Sequence, residues 1–211
     1  MSKIAVISSN GQAAKEIIKE LVARGNDVTG FARQDKNSSV AQHYIKKDLF
    51  DLIREDLAGF DVVVDAFGTF APETLHLHVE VIKHLTSILA GSDTRLLVVG
   101  GAGSLYVDEA HTTQLFETPD FPAEFHPLAQ AQSEALDELR KHDDVNWTFI
   151  SPAAEFVVDR PKTSAYILGG EEFTTNANGQ SIIGYADYAV AMADEIEKGD
   201  HIKERISVVE K

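Results

Sequence analysis

Cysteine is absent from all 211 residues, so the chain has no disulfide framework, no thiolate nucleophile and no cysteine-ligated zinc or iron–sulfur centre. That absence fits a reducing, cytoplasmic setting. Positive charge is also scarce: 19 Lys and Arg face 34 Asp and Glu, a formal net charge of −15. Such a balance argues against a nucleic-acid backbone or an anionic membrane as partner, yet leaves room for a local basic pocket around an anionic cofactor. No apolar run approaches the ~20 residues that cross a bilayer. The N-terminal run Ile4 to Ile7 is far shorter than a secretory core. Internal repeats, low-complexity runs and Pro/Gly-rich linkers are missing too. One domain over residues 1–211 is therefore expected, with about 152–184 forming a substrate-side cap.

What is present alternates between strand and helix patterns. "KIAVI" (Lys3 to Ile7) is nearly continuous in apolar residues, as a strand buried on both faces requires. "AAKEIIKELVARG" puts Ile17, Ile18, Leu21 and Val22 on one helical face, with Gly25 as the stop. Further strands are expected at "DVTGFA", "HYIKKDL", "DVVVDAFG", "RLLVVGG" and "NWTFISP". Helices are expected over Pro72 to Leu89 and, opened by proline, in "AEFHPLAQAQSEALDELRKH". After Pro152 short strands or hairpins are expected at "SAYILGG", "EEFTTN" and "QSIIG". A helix over Tyr185 to Glu197 and a last strand, "RISVV", follow. Repeated βα units predict an α/β fold built on a doubly wound parallel sheet, which binds ligands beyond the carboxyl ends of its strands.

The informative residues are therefore those just after each strand. Ser8, Gly11 and Ala14 carry the spacing of a G-x-x-G-x-x-G phosphate turn. Gly11 allows close backbone approach and Ala14 allows helix–strand packing, whereas Ser8 replaces the glycine that makes the tight turn. Ser9 and Asn10 offer side-chain donors to phosphate; an ordinary strand–helix connection with a Ser/Asn cap is the alternative. Arg33 follows the second strand, where an arginine suits the 2′-phosphate of NADP, while Asp35 keeps NAD open. "AFG" (Ala66, Phe67, Gly68) follows the fourth strand. "GGAGS" (Gly100 to Ser104) follows the fifth, either for close approach to a ligand or as a plain turn. Ser151, Pro152 and Ala153 follow the sixth.

"KIAVISSNGQAAKEI", "VVVDAFGT", "RLLVVGGAGSLYVDE", "TPDFPAEF", "WTFISPAAEF", "YILGG" and "GYADYAVAMADEIE" together resemble the atypical short-chain dehydrogenase/reductases. Within these, the nearest likeness is to the NADH-flavin reductase group, close to NmrA-like and biliverdin reductase B-like proteins. The resemblance covers almost the whole chain, and "VVGGAGSLYVDE" and "TPDFPAEF" are its more specific parts. It implies a Rossmann-like domain that binds a nicotinamide cofactor, NADP(H) preferred over NAD(H). The cofactor positions are then Ser8, Ser9, Asn10, Gly11, Gln12, Ala13 and Arg33 on the phosphate side and Ala66, Phe67 and Gly68 along the adenosine ribose. Gly101, Ser151, Pro152 and Ala153 would lie nearer the nicotinamide.

None of the five tyrosines begins a Tyr-x-x-x-Lys pair; the fourth residues on are Asp48, Ala110, Gly170, Ala189 and Met192. Alcohol dehydrogenase and epimerase chemistry of the usual kind is thus disfavoured. No G-x-S-x-G elbow is present, which disfavours a serine hydrolase. His76, His78 and His84 lack metal-ligand spacing, so no metal is expected. Hydride transfer to a small planar acceptor, flavin or quinone, needs no Tyr/Lys pair. Ser104 and His126 are the candidate catalytic groups, with a surface or packing role the alternative for His126. The competing reading is a non-catalytic redox-sensing regulator of the NmrA-like kind. Either would be a monomer or a homodimer.

Overall fold

The computed structural model describes all residues, 1–211. Its centre is an eight-stranded sheet in the order β3-β2-β1-β4-β5-β6-β10-β8, and all strands but the last run parallel. The first half comprises β1 (Lys3–Ile7), α1 (Gln12–Ala23), β2 (Asp27–Ala32), β3 (His43–Lys46), α2 (Arg54–Leu57) and β4 (Val62–Asp65). Next come α3 (Leu77–Leu89), β5 (Arg95–Val99), α4 (His126–Leu139) and β6 (Asn146–Ser151). The last part contains β7 (Glu155–Val157), β8 (Tyr166–Gly169), β9 (Ile182–Gly184), α5 (Tyr185–Lys198) and β10 (Glu204–Glu210). This is the doubly wound, Rossmann-like arrangement that the alternating pattern predicts.

Helices cover both faces of the sheet, which is why its central strands are apolar throughout. Ile4 and Val6 pack with Ile17, Ile18 and Leu21 of α1 and with Tyr188, Met192 and Ile196 of α5. Ala5, Ile7 and Val63 pack on the other side with Ile82 and Leu85 of α3 and Leu136 and Leu139 of α4. Strand order reverses between β1 and β4, where Ile7 pairs with both Phe31 and Asp65. The crevice above that reversal is the natural ligand position of such sheets.

The structure departs from the sequence pattern in three places. The expected helix over Pro72 to Leu89 is split into a 3₁₀ turn at Pro72–Thr74 and α3. There the Thr74 hydroxyl bonds the Ala71 carbonyl, closing its own turn instead of extending the helix. "EEFTTN" forms no strand; Glu172 only bridges Tyr106. "SPAAEF", expected as a connection, supplies β7, which pairs in parallel with β9 as a separate two-stranded sheet.

Candidate functional site

The turn after β1 answers the question posed by its missing glycine. Ser8 adopts φ 59°, the left-handed region that a glycine would enter freely and a serine enters at about 1–2 kcal/mol. The turn closes by a 2.9 Å bond from the Gly11 amide to the Ser8 carbonyl. Gly11 then stands as N-cap of α1 in extended conformation, with no side-chain cap. A Cβ there would lie 3.3 Å from the Ser8 carbonyl oxygen, a tight fit. The amides of Gln12, Ala13 and Ala14, in the first turn of α1, find no acceptor in the chain. They form an unspent donor set at the positive end of a helix that opens onto the strand reversal.

The side chains of Ser9 and Asn10 point elsewhere. Ser9 is fully buried with its hydroxyl unpartnered, and a Cβ on Gly30 of β2 would lie 2.7 Å from that hydroxyl oxygen. Asn10 spends its side-chain amide on the loop after β2, and the Ser9 backbone amide donates to the Phe31 carbonyl at 3.0 Å, so of the two only the Asn10 main-chain amide is left for an anion. Arg33, the first residue past β2, is exposed, and its nearest carboxylate is Asp48 at 3.9 Å. Asp35 is paired with Lys46. The acidic alternative for ribose hydroxyls is therefore engaged, while the guanidinium is nearly free.

At the end of β4, Asp65 was not singled out by the sequence pattern. It is buried, and its only hydrogen bond runs from the Phe67 amide to its Oδ1 at 3.0 Å. Burial pushes its carboxyl up to about 7, a rise that the Phe67 contact only partly offsets. A cavity of about 20 Å³, enough for about one water, lies beside it, lined by His78, Val99, Gln132 and Phe149 among others. His78 Nε2 meets the Thr69 carbonyl at 3.1 Å, and burial lowers its affinity for a proton. Asp65 and Phe67 thereby hold the Ala66–Gly68 turn in place. Gly68 itself is exposed and faces open space, so nothing in the chain takes up the room its missing side chain leaves.

The glycines after β5 behave differently. A Cβ on Gly100 would overlap the Phe149 ring, and one on Gly101 would overlap the Gln132 side chain. On Gly103 it would come within 2.5 Å of the Ala129 Cβ. The "GGAGS" glycines thus make room for side chains of β6 and α4, a use that neither the ligand reading nor the plain-turn reading names. Ser104 is buried, and its hydroxyl accepts from Arg205 at 3.1 Å while its carbonyl accepts from the same guanidinium. Arg205 lies in the N-terminal half of β10, opposite Phe149 of β6, and also pairs with Glu171. Ser104 is thus drawn below the level of the strand ends. His126 opens α4, is exposed, and meets the Phe116 ring edge-on at 5.1 Å. Ser151 closes β6 fully buried, its hydroxyl unpartnered, followed by buried Pro152 and Ala153. The geometry brings residues 8–14, Arg33, Ala66–Gly68 and Ser151–Ala153 to the carboxyl ends of the strands; it does not bring Ser104 there. His84 bonds the Leu52 carbonyl, a structural role.

Comparison with known proteins agrees with this layout. A family model described as NAD(P)H-binding matches residues 9–197. The Bacillus subtilis (strain 168) protein YwnB is 48% identical over 212 residues, covering 98% of each chain. The crystal structure of SP1627 from Streptococcus pneumoniae TIGR4, described as a putative NADH-flavin reductase, is 57% identical with a TM-score of 0.98. It covers 100% of both chains. The Lmo0794 protein of Listeria monocytogenes is 31% identical over 99% of each chain, with a TM-score of 0.64.

Proposed function

We propose, since the chain belongs to the NAD(P)H-binding family, that it is an NAD(P)H-dependent reductase of a small planar acceptor. The observation that carries this reading is the turn at Ser8–Ala14. Its left-handed residue aims three unspent amides at the strand reversal, and those amides suit a pyrophosphate. Ala66–Gly68 would line the adenosine ribose, and Ser151–Ala153 would bound the nicotinamide. The bound cofactor supplies the hydride; the chain's part is to orient the two rings and exclude water. A flavin is the favoured acceptor, in keeping with the name given to the Streptococcus pneumoniae relative. No Tyr/Lys pair is needed, because such an acceptor is already electrophilic.

NADP(H) is favoured over NAD(H) by Arg33, whose guanidinium is exposed and loosely held, while Asp35 is tied to Lys46. Arg33→Ala should weaken NADPH binding by about tenfold or more and leave NADH nearly unchanged. Equal losses in calorimetry would overturn the 2′-phosphate assignment. Incubation of NADPH with FMN, FAD or a quinone tests the reductase itself. Loss of reduced-nicotinamide absorbance is expected, and no turnover with any acceptor would refute it.

A second reading, a nucleotide-binding regulator without turnover, has one specific support. The hydroxyl of Ser104, one of the two candidate catalytic groups, is committed to Arg205. Binding of NADPH without consumption, and a protein partner recovered with it, would favour that reading.

A further inference from the structure

The side chain of Asn10 sits in the middle of the phosphate-facing turn, yet it serves a different element. Its Nδ2 donates to the Gln34 side-chain carbonyl at 3.2 Å, to the Lys36 backbone carbonyl at 3.0 Å and to the Tyr44 hydroxyl at 3.3 Å. Its Oδ1 accepts from the Ser38 amide at 2.9 Å and from the Ser38 hydroxyl at 3.0 Å. Tyr44, on edge strand β3, donates its own proton to the Gln34 carbonyl at 2.6 Å, which leaves its oxygen to receive Asn10. Both polar groups of one amide are therefore used, and every bond reaches the connection between β2 and β3 or the strand β3 that follows it.

That connection begins with Arg33. The Arg33 side chain is three-quarters exposed and has no hydrogen bond of its own, its only charged neighbour being Asp48 at 3.9 Å. The direction in which it reaches is consequently set by the backbone that follows it. Gln34, the next residue, is held from two sides, by Asn10 through its side chain and by Tyr44 through its carbonyl. Without those anchors, the segment would keep the exposed Asp35–Lys46 pair and its own small turn, in which Asn37 Oδ1 accepts from the Ser39 amide and hydroxyl. That turn would no longer be fastened to the turn after β1.

We infer that Asn10 is a specificity-positioning residue: it fastens the Gln34–Ser38 loop to the pyrophosphate turn and so fixes where Arg33 stands relative to the ribose 2′ position. The inference rests on the nucleotide-binding reading above, but it concerns discrimination between two nucleotides and not binding as such. Asn10 contacts no phosphate with its side chain, so its loss should act mainly on the cofactor that carries the additional phosphate.

The test uses the full chain, with Asn10→Ala and, as a second variant, Tyr44→Phe. NADPH and NADH affinities are measured by calorimetry, and hydrogen exchange of residues 34–38 is followed without nucleotide. Asn10→Ala should lower the NADPH-to-NADH affinity ratio by about tenfold and speed exchange across Gln34–Ser38. Tyr44→Phe should move the ratio and the exchange in the same direction by less, and it carries the test alone if Asn10→Ala does not fold. A merely structural asparagine would lower the melting temperature and weaken both nucleotides equally; an unchanged ratio overturns the inference. Wild-type protein that binds neither nucleotide would instead refute the nucleotide reading, an outcome separate from an unchanged ratio in protein that does bind.

Discussion

Ser8 and Asp65 are two residues at which this crevice carries local cost. Ser8 holds φ 59° because the chain must reverse between β1 and α1 within a few residues. Ser8→Gly should relieve that strain, partly offset by the greater freedom glycine gives the unfolded chain, for a gain of about 0.5 kcal/mol. Ser8→Val, with a β-branched side chain, should lose about 2 kcal/mol. Urea unfolding of the two variants checks both, and a Ser8→Val protein as stable as wild type would contradict the strain. Asp65 is a cost of another kind. Its buried carboxyl keeps a proton up to about pH 7 that an unfolded chain releases near 3.8. The stability linked to this group is intact below about pH 4, erodes as pH rises through that interval, and is fully lost just above pH 7. Between pH 5 and pH 8 wild-type protein should therefore lose about 2–3 kcal/mol more than Asp65→Asn, whose amide oxygen can still accept from Phe67. Equal losses in denaturant titrations at the two pH values would show that Asp65 ionises freely.

At the scale of elements, the glycines that follow β4 and β5 divide by what their missing side chains make room for. Gly100 accommodates Phe149 of β6, so Gly100→Ala should cost about 1–3 kcal/mol through overpacking. Gly68 faces open space, so Gly68→Ala should change stability by less than about 0.5 kcal/mol. Comparable urea midpoints for the two variants would contradict this division. The same contrast shows what sequence can and cannot reveal. β1 and β2 were legible to the residue: the apolar run of β1 has one sensible home, between two helical layers, and β2 follows the glycine stop of α1. The places of the turn after β1 and of Arg33 after β2 were legible because both follow from where those strands end. The split before α3, the small strand β7 and the descent of Ser104 to Arg205 were not. The split turns on one local bond, from the Thr74 hydroxyl to the Ala71 carbonyl, and the other two are decided by partners distant in the chain: β9 for β7, β10 for Ser104. Asp65 looked like a charge closing the run "VVVD", and only the closure of α3 and α4 over it makes it a buried acid. Its one sequence signal was a carboxylate directly joined to three valines.

The whole molecule concentrates its binding features in one crevice while carrying a formal charge of −15, so an anionic nucleotide approaches against the overall field. Binding must then depend on short-range groups: three helix amides, one loosely held arginine and the backbone of two strand-end turns. These lie on both sides of the strand reversal, on α1, the loop after β2 and the end of β4. A ligand that bridges them therefore resists unfolding of the sheet's central strands and not of one loop alone. Saturation at about one hundred times the dissociation constant should add about 2.7 kcal/mol to stability. For a chain of this size that corresponds to a rise in melting temperature of about 5–10 °C. The rise should grow with the logarithm of NADPH concentration and exceed that with NADH at equal concentration. A reductase and a nucleotide sensor both predict this shift. A scaffold that no longer binds a nucleotide predicts none with either, so an unmoved melting curve would remove the cofactor from the account of this fold.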